Sequence, residues 1–222
     1  MASAQFANIH ARARDAMIDS QLKPCGIGDP QLLAAFAHVP REDFLDAGRR
    51  GLAYVDCEHP VGEGRAMMAA LTLARLLQAA DVIPGERVLV IGGLTGYSAA
   101  LLADMGAAVT MVECDPRLVA AARERLADWP DVTVVESPLE TGAPDAGPFD
   151  LILLDGAVEA LPASLAGQLR DGGRAVLVLA GADGVHRAAV CLPTAGTFSC
   201  DFVAEAPAPL LPAFRKPRRF QF

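Results

Sequence analysis

From residue 88 onward, short runs of aliphatic and β-branched residues alternate with Ala/Leu/Arg-rich segments whose apolar positions recur at helical spacing. That alternation predicts βαβ units on a parallel sheet. The apolar runs place five strands at 87–91, 108–113, 132–136, 149–154 and 174–179. Helices are expected over 97–105, stopped by Gly106, and from Pro116 to about residue 127, with Asp115 as the cap and Pro116 where a missing N–H costs nothing. Another is expected over 161–169, ended by the Asp171-Gly172-Gly173 turn. After Gly181 two runs, 186–192 and 199–205, flank a Pro193-Thr194-Ala195-Gly196 turn that is too short for a parallel crossover, so they should pair antiparallel. Ahead of the sheet, 5–22 and 30–39 read as helices, the second capped by Asp29. A Gly/Pro-rich segment over 51–64 leads into a helix expected from about 66 to 80. The pattern divides the chain into an N-terminal extension of helices and a Gly/Pro-rich segment, 1–80, and an α/β core, 81–222, folded as one unit.

Charge and composition narrow the partners. The 222 residues carry 19 Lys and Arg against 27 Asp and Glu, a net charge of −8, which disfavours nucleic acid because phosphate binding needs a basic face. With 52% hydrophobic residues the chain has ample apolar surface to fold alone. The apolar stretches are broken by Arg, Asp or Gly before the roughly 18 residues of a membrane span. No secretory signal is readable, so a cytoplasmic location is expected. The five cysteines are scattered without metal-site spacing, which predicts reduced, partly buried thiols and no metal. The basic run 215–219 reads as a solvated terminus, and His10, His38 and His186 form no catalytic arrangement with Cys or Ser.

The first core strand runs into Gly92-Gly93-Leu94-Thr95-Gly96 directly before a helix, where backbone N–H groups and the positive helix end could face a nucleotide-like ligand. The same glycines would also serve a plain strand-to-helix turn. A dinucleotide fingerprint wants glycine at the first, third and sixth positions; Leu94 or Thr95 takes the third, which disfavours NAD. Glu113 ends the second core strand 21 residues after Gly92, where a ribose-binding carboxylate belongs, although a solvated strand-end acid would look the same. Asp155 follows Leu151-Ile152-Leu153-Leu154 at the ligand-binding edge of such sheets and suits either ligand contact or helix capping.

These segments, in order, resemble the protein-L-isoaspartate O-methyltransferases. The resemblance covers nearly the whole chain and lies in Val39-Pro40-Arg41-Glu42-Asp43-Phe44, Ala53-Tyr54-Val55-Asp56, Pro60-Val61-Gly62-Glu63-Gly64, Gly96-Tyr97 with Ala99-Ala100, and Pro148-Phe149-Asp150. It implies a Rossmann-like class I methyltransferase sheet that uses S-adenosylmethionine to methylate the isoaspartyl carboxylate of aged proteins. Departures are concentrated at functional positions. Met68 stands where the family has a serine at its catalytic site, and Val90 replaces a glutamate before the glycine loop. Leu94 replaces the middle loop glycine, and Glu136-Ser137-Pro138 stands in for an acidic adenine-contact motif.

Carried onto this chain, the resemblance assigns Gly92, Gly93, Thr95, Gly96, Glu113 and Asp155 to the cofactor, and Asp56, His59, Gly62 and Met68 to the acceptor side. The implied partner is a protein or peptide bearing a carboxylate, without nucleic acid or membrane. Met67 and Met68 have a plainer reading as core filler, since methionine adapts to irregular gaps, and His59 as a loop histidine without a role. Two functional readings follow: a carboxyl methyltransferase of the isoaspartyl-repair type, with shifted substrate or weakened activity, or a catalytically inactive binding or scaffold protein that keeps the fold.

Overall fold

The computed structural model describes residues 2–62 and 64–216; the 217–219 part of the basic run, like Met1 and Glu63, lies outside the described residues. Helix α1 (Ala2–Met17) continues into a π-helical turn, and α2 (Pro30–His38) follows with the Asp29 carboxylate accepting from the N–H groups of Gln31 and Leu32. A two-stranded antiparallel hairpin comes next, β1 (His59–Gly62) and β2 (Arg65–Met67), then α3 (Ala70–Ala80). The core continues as β3 (Arg87–Ile91), α4 (Tyr97–Asp104), β4 (Ala108–Glu113), α5 (Pro116–Arg125), β5 (Val132–Glu136), β6 (Phe149–Val158), β7 (Leu169–Ala180), β8 (His186–Thr194) and β9 (Thr197–Glu205).

Seven strands form one sheet in the order β5-β4-β3-β6-β7-β8-β9. The first five lie parallel, and β8 and β9 add antiparallel to β7 and to each other. Two-sided burial explains the unbroken apolar runs. Val88 and Val90 of β3 face a core shared with α1 to α5, while Leu89 and Ile91 face a second core with Leu165, Phe214 and the inner residues of β7 and β8. The N-terminal helices therefore share one core with the sheet. No helix among the described residues is long and apolar enough to cross a membrane.

Three elements depart from the sequence expectation. The segment expected to open a helix at residue 66 is instead the strand β2, paired His59 to Met67 and Pro60 to Ala66, and the helix begins only at Ala70. Arg41 and Arg65 hold this stretch extended through bonds described below. In place of a helix over 161–169 there is a 3₁₀ turn, Ala163–Gln168, because Pro162 and Gly167 bracket too few residues for a regular helix and Gln168 bonds back to Thr141 and Ala143. The Asp171-Gly172-Gly173 turn is absorbed into β7 as an irregularity in its pairing with β6. The cysteine expectation is also corrected: Cys191 and Cys200, opposite one another on β8 and β9, are joined by a disulfide, and Cys25, Cys57 and Cys114 are free and exposed.

Candidate active site

The parallel strands deliver the glycine loop, Glu113 and Asp155 to one edge of the sheet, as their shared register requires. The Glu113 carboxylate is fully buried and densely bonded. Oε1 accepts from the N–H of Cys114 at 2.8 Å and of Asp115 at 3.3 Å, and Oε2 accepts from the N–H of Leu94 at 3.0 Å. Leu94 can aim its N–H there because its φ is +56°, a left-handed conformation a side chain enters only at some cost. Arg65 completes the set with a two-pronged grip, Nη1 to Oε1 and Nη2 to Oε2, both 3.2 Å, and Nη2 also donates to the Gly92 carbonyl at 3.1 Å.

The loop glycines serve different ends. A Cβ at Gly93 would lie 2.6 Å from Met111, and one at Gly96 would lie 2.5 Å from Leu126, so both are required by packing within the chain. Only Gly92 presents its bare side toward the ligand edge, where Arg65 Nη2 and Leu211 stand 3.1 and 3.2 Å from the position a Cβ would take. Thr95 is turned inward, donating to the Phe44 carbonyl at 2.7 Å. Beside Glu113 opens a cleft of about 520 Å³, lined by Arg65, Cys114, Pro116, Leu139, Pro212 and Ala213 among others, a size suited to a nucleoside-sized molecule.

Asp155 does not reach that cleft; it is buried and accepts a hydrogen bond from the Ser98 hydroxyl. Burial pushes its carboxyl up from the ordinary 3.8 to about 6, against the opposing pull of Ser98, Arg65 and Arg41. Because the folded value lies above the unfolded one, its stabilising contribution is complete below about pH 4 and is lost as pH rises to about 6. At about 1.4 kcal/mol per pH unit, the gap is worth roughly 3 kcal/mol. Asp155→Asn should therefore match the native chain in stability near pH 4 and exceed it by up to roughly 3 kcal/mol at pH 7. Urea midpoints across that range check this, and parallel curves for the two proteins would refute it.

On the acceptor side, Arg41 is wholly buried, with Nε donating to the Ala53 carbonyl at 2.9 Å, Nη2 donating to the Met68 carbonyl at 2.6 Å, and its guanidinium 4.9 Å above the Tyr97 ring. Met68 is fully buried in the link between β2 and α3, not on a helix. His59 is buried, and burial, reinforced by Arg41 and Arg49, lowers its pKa below 6.5 and keeps the ring neutral at pH 7. Arg41 Nη1, His59 Nε2 and Tyr97 Oη are buried polar atoms without a hydrogen-bond partner among the described residues. Asp56 is exposed on the loop ahead of β1. Sequence reasoning singled out Glu113 and Gly92, both bonded to the cleft-lining Arg65, but missed Arg65 itself, whose signal was a lone cation next to a glycine-rich turn in an acidic chain.

The family model for protein-L-isoaspartate(D-aspartate) O-methyltransferase matches residues 12–188. The protein-L-isoaspartate O-methyltransferase of Koribacter versatilis (strain Ellin345) is 39% identical over 168 residues, 75% of each chain. That of Methylorubrum populi is 41% identical over 168 residues, 75% of this chain and 78% of the relative. Among solved structures, a protein-L-isoaspartate O-methyltransferase superposes with a TM-score of 0.78 at 23% identity, covering 89% of this chain and 65% of that one. The Plasmodium falciparum beta-aspartate methyltransferase in complex with S-adenosyl-L-homocysteine superposes at 0.73 with 18% identity, covering 92% and 98%. These last two bear on the fold. The family model, over residues 12–188, and the sequence relatives, about 40% identical over three quarters of the chain, carry the assignment: the chain belongs to the protein-L-isoaspartate(D-aspartate) O-methyltransferase family.

Proposed function

We propose that the protein transfers a methyl group from S-adenosylmethionine to the carboxylate of isoaspartyl residues in protein or peptide substrates. The carrying observation is the buried Glu113 carboxylate at the end of β4, beside a cleft of about 520 Å³, in a chain of this family. The donor set fits the cofactor's nucleoside: Glu113 offers a carboxylate for a ribose diol, and Leu139, Pro116, Pro212 and Ala213 offer apolar surface for a base. One condition attaches, that Arg65 gives up its hold on Glu113. When bound, S-adenosylmethionine supplies an activated methyl group.

The acceptor carboxylate is its own nucleophile, so the chain needs no general base. Its residues align and dry the site, effects that can supply roughly 7–11 kcal/mol of a barrier. Arg41 fixes the segment from Ala53 to Met68 by bonding carbonyls at both ends, and so fixes the hairpin that carries His59 and Arg65. The neutral His59, with its free Nε2, is suited to hydrogen-bond an acceptor peptide, and Asp56 stands at the mouth of the same loop. Met68 has no hydroxyl to orient the acceptor, which would lower the rate without removing a reacting group. A cytoplasmic location belongs to the same reading, and there a reducing pool would act on the Cys191–Cys200 bond.

Calorimetric titration with S-adenosylhomocysteine should give measurable heat, and labelled methyl groups should reach an isoaspartyl peptide while its normal aspartyl twin stays unlabelled. Silence at millimolar ligand, or equal labelling of both peptides, would overturn the proposal.

A further inference from the structure

Arg65 divides two clefts. It lines the cleft beside Glu113, and on its other side it lines a groove of about 480 Å³ with Glu58, Pro60, Ala66, Leu210 and Arg215. The ion pair is almost fully withdrawn from solvent, with side-chain exposures of 8% for Arg65 and 0% for Glu113.

Five N–H donors converge on Glu113: two from Arg65 and one each from Leu94, Cys114 and Asp115. A carboxylate offers about four lone-pair sites, so no acceptor capacity is left for a sugar diol. Three of the donors are backbone groups fixed by the strand end and the glycine loop. The guanidinium is the one partner on a flexible stem, and it reaches in from a two-stranded hairpin outside the main sheet. A diol can therefore reach Glu113 only by displacing Arg65, after which the three backbone donors still hold the carboxylate in place. The displaced guanidinium keeps its charge at any working pH and must find another anion. The groove it already lines is the adjacent space, and in the function proposed above the acceptor is itself a carboxylate, whose geometry matches a guanidinium fork.

We infer that Arg65 is a specificity-determining residue with two positions, latched on Glu113 and Gly92 while the nucleoside cleft is empty, and turned into the neighbouring groove to receive the acceptor carboxylate once the cofactor's ribose has taken Glu113. The inference rests on the methyltransferase reading and adds two consequences. Cofactor binds before acceptor, and a carboxylate acceptor is preferred over its amide by a residue that the cofactor itself sets free.

The test is calorimetry on the full chain with S-adenosylhomocysteine and with an isoaspartyl peptide, for the native protein, Arg65→Gln and Arg65→Lys. Apparent affinity scales with the fraction of molecules already open, so Arg65→Gln should bind S-adenosylhomocysteine about tenfold or more tightly than the native protein. The same variant, saturated with S-adenosylhomocysteine, should bind the peptide about tenfold or more weakly, because the fork that receives its carboxylate is gone. A merely structural defect would weaken both ligands; opposite changes in one variant would not follow from it. Arg65→Lys, which keeps the charge but not the fork, should lie between the two on both measures and carries the comparison if Arg65→Gln folds poorly. In the native protein the peptide should bind at least tenfold better with S-adenosylhomocysteine than without. Unchanged S-adenosylhomocysteine affinity in both variants, or peptide binding indifferent to S-adenosylhomocysteine, overturns the latch and leaves the methyltransferase reading standing. Failure of native and variant proteins alike to bind S-adenosylhomocysteine overturns both.

Discussion

Glu113→Ala is expected to lower stability by about 3–5 kcal/mol, the range for breaking a buried ion pair from one side, and to weaken S-adenosylhomocysteine binding at least tenfold. The truncation strips the Arg65 guanidinium of its anion while leaving it 8% exposed, and it orphans the N–H groups of Leu94, Cys114 and Asp115. Removing both partners is a different experiment. The double variant Arg65→Met with Glu113→Ala leaves no unpaired buried charge but still orphans the N–H groups of Leu94, Cys114 and Asp115, so it should recover only the part of the loss that the stranded guanidinium causes. Urea unfolding with an unchanged slope gives both numbers. A single variant within about 1 kcal/mol of the native chain, the scale of an exposed pair, would show that the pair is solvated in solution.

Arg41→Ala should cost about as much, roughly 3–5 kcal/mol, for a different reason. Its side chain fills core space between Tyr97 and the hairpin and satisfies the carbonyls of Ala53 and Met68, two residues buried from water. Arg41→Met restores most of the volume but neither hydrogen bond, and should cost roughly 2 kcal/mol. Because the segment between those carbonyls carries His59 and Arg65, both variants should also bind an isoaspartyl peptide more weakly. For a chain of this length each kcal/mol moves the melting midpoint by about 2–4 °C, so thermal scans separate the two variants. Equal midpoints for Arg41→Met and the native protein would mean that Arg41 acts through bulk alone.

The parallel sheet was readable from the sequence because burial on both faces leaves uninterrupted apolar runs, and α2 and α5 because Asp29-Pro30 and Asp115-Pro116 announce their starts locally. The hairpin of β1 and β2 was not. Its extended backbone is imposed by contacts across 48 residues from Arg65 to Glu113 and 27 from Arg41 to Met68, which no window of local pattern contains. Gly93 and Gly96 were legible as glycines needed near a turn but not as positions crowded by Met111 and Leu126, since a close approach from inside the chain and one from a ligand leave the same residue. The Cys191–Cys200 bond was within reach. The turn pairs Thr194 with Thr197, and counting outward three positions along each strand sets the two cysteines face to face.

The stretch after β9 returns across the sheet, where Ala157 donates to the Pro209 carbonyl and Leu211 to that of Ala157. Leu211 there fills the space above two glycines, one in the loop after β3 and one within β6: its side-chain carbons lie 3.2 Å from where a Cβ on Gly92 would sit and 2.8 Å from one on Gly156. Trimming Leu211 would therefore open room over both positions at once without freeing either to vary, because Gly92 keeps its φ of +76° and Arg65 at 3.1 Å, and Gly156 keeps its φ of +157° and the Pro209 carbonyl at 2.9 Å.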